Sequence, residues 1–177
     1  MDRDLHTDWR VWRPSRQEAA QLAVAIIGVS LDAAFGHRGV LFLGTCVLVG
    51  LMFEFVCKPL WTFHDDVASS RYTVRGVNLF VSLAWMGLIS TGLVVASGLE
   101  TPTGWPRLVS VVVTFGVLGN VVESLFAATG ALRYHLDHAL LAFPFQRAPL
   151  VLGVPLSIRA GYFTTIPTLA WVLSHVP

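Results

Sequence analysis

Five apolar runs, at 18–36, 39–60, 77–98, 107–131 and 150–174, alternate with short polar or Gly/Pro-rich breaks. Each run matches the ~20 residues that a helix needs to cross the hydrocarbon core of a bilayer. The runs are continuously apolar, unlike the ~10-residue alternating strands of a membrane barrel, so helices are the remaining spanning solution. The pattern predicts an all-α integral membrane protein built as a bundle of five transmembrane helices. The first break, "FGHRG", reads as a tight hairpin, and the third, "GLETPTGWPR", as a Gly/Pro turn. The second, "WTFHDDVASSRYTVRG", is polar and mixed in charge, and the fourth, "RYHLDHALLAFPFQRAP", is expected to lie partly along the membrane interface.

Two segments share a pattern. "GLMFEFVCKPLWTFHDD" begins at Gly50 and "GNVVESLFAATGALRYHLDH" at Gly119. Each places Gly-x-x-x-Glu near the end of a run, followed by an aromatic residue, a His and an Asp, with the glutamates 69 residues apart. Helices one and two would then be a parallel copy of helices three and four, with the fifth added.

Composition supports the membrane class. Hydrophobic residues make up 54% of the 177 and charged residues 13%, against about a quarter charged in soluble domains. One bundle, 18–177, is the expected domain, preceded by an amphipathic cytoplasmic segment at 1–17 in which Trp9 and Trp12 alternate with arginines. That segment lacks the short apolar core of a signal peptide. A net charge of +1 argues against nucleic acid as a partner. Cys46 and Cys57 fall on one expected helix, about 16 Å apart by helical rise, too far to form a disulfide.

The chemistry concentrates in three charged residues inside the runs. Glu54 and Glu123 sit at similar depth on helices that run the same way, and Arg159, about nine residues into the fifth run, reaches nearly the same level. A charge facing lipid costs at least about 2.5 kcal/mol at the bilayer centre, so mutual pairing around an interior cavity is the better solution. One reading is structural: a buried Glu–Arg pair that fixes helix order. The other is functional: two carboxyls against one Arg159 leave one acid over, and in a dry pocket the surplus carboxyl stays protonated and serves as a proton donor. Glu123 and Glu54 are the candidate catalytic acids. Asn120 shares the face of Glu123, and Tyr162 shares that of Arg159. Asn120, Arg159, Tyr162, Trp61 and Tyr134 are candidate substrate-binding residues, the aromatics also lining an apolar pocket. Asp32 is expected at the far interface, and Asn78 either joins the cluster or caps the third helix.

His64, Asp65 and Asp66 follow the second run, and His135, Asp137 and His138 the fourth. His135 and His138 have an i, i+3 spacing that can share a metal, but a wet loop is the simpler reading, so no metal is expected. No mid-helix histidine pair, phosphate loop or nucleophile elbow occurs, so no cofactor is expected either.

The inner-half Glu-x4-Pro (Glu54 to Pro59) and Asn-x-x-Glu (Asn120 to Glu123) resemble motifs of integral-membrane terpenoid enzymes, the fungal-type membrane terpene cyclases and heterodimeric-type lycopene cyclases. Sterol-isomerase-like bundles look similar. The resemblance implies a membrane lyase or isomerase that protonates an alkene or epoxide of an isoprenoid, with Glu54 and Glu123 as the acids. Beside this stand two other readings, a small proton-coupled transporter and an accessory subunit of a membrane complex; an oligomer fits any of the three.

Orientation follows from lysine and arginine. Arg3, Arg10, Arg13, Arg16, Lys58, Arg71, Arg75, Arg133 and Arg147 fall on one side, and Arg38 and Arg107 on the other, which places the N-terminus in the cytoplasm of a bacterial-type cell and the C-terminus outside. Reporter fusions are expected to put the N-terminus and the 62–76 connection inside and the C-terminus outside. A C-terminal reporter found inside would remove one span.

Overall fold

The computed structural model describes residues 14–36, 38–63, 72–143 and 145–176. Most of the N-terminal segment expected at 1–17, and His64, Asp65 and Asp66, lie outside the described residues. Helix α1 (Arg16–Leu31) starts at a capping box: the Ser15 hydroxyl accepts the Glu18 N–H at 3.2 Å, and the Glu18 carboxylate accepts the Ser15 N–H at 2.8 Å. It ends in a π-helical turn, Asp32–Gly36. Asp32 is buried there and accepts from the Arg38 guanidinium at 2.7 Å and the Arg38 N–H at 3.2 Å. This clasp closes the hairpin into α2 (Val40–Cys57), which accounts for an acid at that end of the chain's first run.

Short strands, which the all-helical expectation did not include, build the connections. Strand β1 (Trp61–Phe63) follows α2. β2 (Thr73–Val74) and β3 (Val77–Asn78) form a hairpin whose turn residues Arg75 and Gly76 both have positive φ, at 50° and 81°. Two positive φ angles match the natural twist of a two-residue hairpin. Asn78 then caps α3 (Leu79–Thr103) by accepting the Phe80 N–H at 2.9 Å, and its amide also donates to Glu18 at 2.7 Å. Asn78 is thus a cap that ties α3 to α1. After α4 (Arg107–Ala128), strand β4 (Leu132–Tyr134) pairs antiparallel with β1, setting Trp61 opposite Tyr134 and Phe63 opposite Leu132. A single helical turn, α5 (Ala139–Ala142), leads to a second hairpin, β5 (Leu150–Val151) and β6 (Val154–Pro155), turning at Leu152 and Gly153 with φ of 50° and 77°.

Four helices are long and apolar enough to cross a membrane: Arg16–Gly36, Val40–Cys57, Leu79–Thr103 and Arg107–Ala128. The run expected as a fifth continuous span at 150–174 differs. Its first six residues form the β5–β6 hairpin, and the rest divides into α6 (Leu156–Gly161) and α7 (Thr165–Leu173). Pro167 supplies no N–H to the carbonyl of Phe163, and the amides of Tyr162, Phe163 and Thr164 bond three residues back instead of four. The helix therefore breaks one turn ahead of the proline.

The bundle closes on α3, which packs against α1, α2 and α4. Where α1 crosses α3 the backbones touch: a Cβ on Gly87 would lie 2.3 Å from the Val24 carbonyl oxygen, and one on Gly28 as close to Gly87. Small residues at such crossings let membrane helices approach. Phe42, Cys46, Ile89, Phe115, Ile166 and Ala170 fill the centre, with α7 seated against α4 and α2. Ile26, Leu48, Met52, Val56, Val117 and Leu125 point outward, as expected of a lipid-facing surface. Gly87→Ala should lower stability in detergent by about 1–3 kcal/mol, the cost of overpacking. On the same helix Gly98 has open space beside it, so Gly98→Ala should be neutral or stabilising. Equal melting temperatures for the two variants would contradict the close crossing.

Candidate functional site

Glu54 near the end of α2 and Glu123 near the end of α4 are both buried, and each carboxylate is held the same way. The Trp85 indole N–H donates to Glu54 Oε1 at 2.7 Å, and the Trp61 N–H to Oε2 at 3.4 Å. The Tyr162 hydroxyl bonds Glu123 Oε2 at 2.7 Å, and the Tyr134 hydroxyl bonds Oε1. Each glutamate thus has one aromatic partner from a strand and one from the helix that follows a hairpin. The two strand partners, Trp61 and Tyr134, are themselves opposite each other in the β1–β4 pair. That pairing couples the two carboxyl stations.

The Gly-x-x-x-Glu spacing acquires a physical cause. A Cβ on Gly50 would lie 2.8 Å from Trp85 Cβ, and a Cβ on Gly119 would lie 1.9 Å from the Tyr162 ring. The glycine, one turn before the glutamate, clears the space through which the neighbouring helix's aromatic reaches the carboxylate. Trp85 comes seven residues after Asn78 at the end of β3, and Tyr162 seven after Pro155 at the end of β6. The matching details therefore run from α2 to α3 and from α4 to the end of α6. The expected partition into helices one–two and three–four does not follow them, because α1 supplies neither Glu54 or Glu123 nor an aromatic partner of either, its own acid Glu18 serving the α1 cap and Asn78.

Both glutamates line one cavity of about 280 Å³, walled by apolar side chains with Trp61, Trp85, Tyr162 and Gln21. The Phe53 ring sits edge-on to Trp85 at 4.9 Å and 6.3 Å from Trp61. A second, smaller cavity of about 170 Å³ lies toward the β2–β3 hairpin, and Glu54 and Trp61 form walls of both. Lys58 also lines it and donates to the Arg75 carbonyl at 2.9 Å.

Arg159 is placed differently from the expectation. Its guanidinium donates to Asn120 Oδ1 at 3.0 Å, Ser124 Oγ at 2.9 Å and the Val151 carbonyl at 2.8 Å. All four oxygens of Glu54 and Glu123 bond to aromatic groups instead. Asn120, expected on the face of Glu123, donates to the Gly116 and Arg159 carbonyls, at 2.7 and 3.4 Å. Depth was not enough: Asn120 and Ser124 present a different face of α4 from Glu123, and Arg159 follows them. Neither Asn120 nor Arg159 lines the 280 Å³ cavity. Trp85, missed in the sequence because it sits in an unbroken apolar run, completes the Glu54 station.

Tyr134 lies on β4, outside the long helices. Burial pushes its phenol well above the ordinary range, and the charge and hydrogen bond of Glu123 push it the same way. In the connection beside it, His138 Nδ1 accepts the Leu140 N–H and caps α5, while the His135 N–H donates to the Leu60 carbonyl. The chain matches no family model, no curated protein and no solved structure.

Removing the Arg159 side chain leaves both carboxylates with their aromatic partners. Arg159→Leu should lower stability by removing the donors to Asn120 Oδ1 and Ser124 Oγ, about 1–3 kcal/mol, and adding Glu54→Gln should not recover it. Thermal melting of the two single variants and the double variant checks this. Rescue by Glu54→Gln would restore a direct Arg159–Glu54 pairing.

Proposed function

We propose that this protein is an integral-membrane enzyme that acts on a hydrophobic isoprenoid or similar lipid by carboxyl acid–base catalysis, of cyclase or isomerase type. The observation that supports it is a pair of buried carboxyls, each held by two aromatic groups, on one apolar cavity. The wall suits an apolar substrate, and its indole faces suit a carbocation, to which aromatic rings are attractive.

The two stations differ in what their partners can do. Indole N–H groups only donate, so Trp61 and Trp85 hold Glu54 as an acceptor. Lys58 lines the second cavity with Glu54. Phenol hydroxyls both donate and accept, so Tyr134 and Tyr162 can hold Glu123 in either protonation state. In this reading Glu123 is the acid. It gives its proton to an alkene carbon, a C–H bond forms with the π electrons, and the cation is steadied by the Glu54 carboxylate and the rings of Trp61 and Trp85. A neighbouring double bond closes on the cation, or the cation shifts. Loss of a different proton to Glu123 regenerates the acid, so the rearrangement needs no co-reactant. Tyr134 lies toward the loop end and connects Glu123 to that side. Asn120 and Arg159 then act by fixing α4 against α6, with substrate met by Trp61, Trp85 and Tyr162.

We read the chain as two copies of a helix–strand–hairpin–helix unit, with α1 added in front, crossing the membrane with its hairpins at the cytoplasmic face. The α6–α7 segment is the fifth crossing, interrupted beside the site. That interruption also favours a second reading, a proton-coupled transporter, because broken helices build many transport sites. Proton-coupled flux in liposomes, without product formation, would select it.

Glu123→Gln keeps the shape but removes the transferable proton. Turnover on a panel of acyclic isoprenoids, followed by mass spectrometry of the products, should fall by about a hundredfold or more, with the melting temperature nearly unchanged. Tyr134→Phe should fall less and shift the pH profile. A fully active Glu123→Gln variant would make the carboxyls structural and end the enzyme reading.

A further inference from the structure

We infer that Gln21 on α1 recognises the polar end of the cavity's occupant, and that this occupant is an apolar molecule bearing one hydroxyl or other neutral hydrogen-bond donor. The inference rests on the apolar-substrate reading above and narrows its substrate class. Gln21 is 5% exposed and lines the 280 Å³ cavity, and its Oε1 is buried without a hydrogen-bond partner. Buried polar side-chain atoms in proteins are nearly always paired, and each exception calls for a cause.

The other polar groups on the buried wall are engaged. The N–H groups of Trp61 and Trp85 are on Glu54, the Tyr162 hydroxyl is on Glu123, and the Ser157 hydroxyl donates to the Leu141 carbonyl. Both oxygens of each glutamate already have a partner. Among the described residues, the Gln21 carbonyl is therefore the buried oxygen of this wall still open to a ligand. An amide oxygen accepts and does not donate, so the group that satisfies it carries an O–H or N–H. A cationic donor would be drawn to the Glu54 carboxylate on the same wall, which leaves a neutral donor such as an alcohol for Gln21. A pure hydrocarbon would fill the cavity and leave that oxygen unpaired. The donor end of the ligand then lies toward α1, and the apolar body extends past Val24 and Leu88 to the two glutamates.

The test compares phytol with phytane, which share one branched C20 skeleton with and without a terminal hydroxyl. Each is titrated into the purified full-length protein in detergent and followed by intrinsic tryptophan fluorescence, to which Trp61 and Trp85 on the cavity wall contribute. Phytol should bind about tenfold more tightly than phytane, the size of one added hydrogen bond. Gln21→Leu should abolish that preference while leaving phytane binding equal or tighter. Equal affinities in the unmodified protein would show that water satisfies Gln21 and would overturn the inference alone. A tenfold preference retained in Gln21→Leu would do the same. If neither compound binds, the apolar-substrate reading falls along with it.

Discussion

Two buried carboxyl groups that face one apolar cavity, Glu54 and Glu123, are the constraint on which the rest of this structure depends. An acid placed among lipid-facing helices needs hydrogen-bond partners supplied by protein, since the bilayer core has no water to offer. Here the partners are aromatic. Trp61 and Trp85 serve Glu54, and Tyr134 and Tyr162 serve Glu123. To bring a large ring to a carboxylate between two helices, the facing helix must give up a side chain, which Gly50 and Gly119 do. To bring the second ring, the chain must turn back after the helix as a strand, and β1 and β4 do this side by side. The hairpins then aim α3 and α6 so that Trp85 and Tyr162 arrive at the right height.

This dependence explains why strands occur at one end of a helical membrane protein. The β1–β4 pair sets Trp61 against Tyr134, so one strand pair carries a partner of each carboxyl. The cavity between them is bounded by rings that are themselves fixed by hydrogen bonds. A preorganised wall of this kind suits a reactive cation, because groups already held in place need not reorganise when charge develops.

Much of this was legible in the chain. The apolar runs gave the four long helices, and the shared Gly-x-x-x-Glu pointed to Glu54, Glu123 and their neighbourhood. Trp61, Tyr134 and Tyr162 were identifiable as aromatics near those acids. Three things were not legible, each for a physical reason. Arg159 has the right depth but the wrong rotation, and depth alone does not say which face of α4 a cation meets. The Leu150–Pro155 hairpin is apolar throughout, so it reads as membrane span; its signal is the X-Gly turn, "VRGV" at 74–77 and "VLGV" at 151–154. Trp85 is one more apolar residue in a long apolar helix, and only its seven-residue offset from a hairpin, shared with Tyr162, sets it apart.

The central claim is that the space between Glu54 and Glu123 holds an isoprenoid-like molecule. Organic extraction of the purified protein, followed by mass spectrometry, tests it most directly when the unmodified chain is compared with Ala84→Phe, which places a ring into the cavity wall. The account predicts a branched apolar lipid near one per chain in the unmodified protein and its loss from Ala84→Phe, with the bulk phospholipid carried by both proteins unchanged. Phospholipid alone, in equal amount from both, would contradict it.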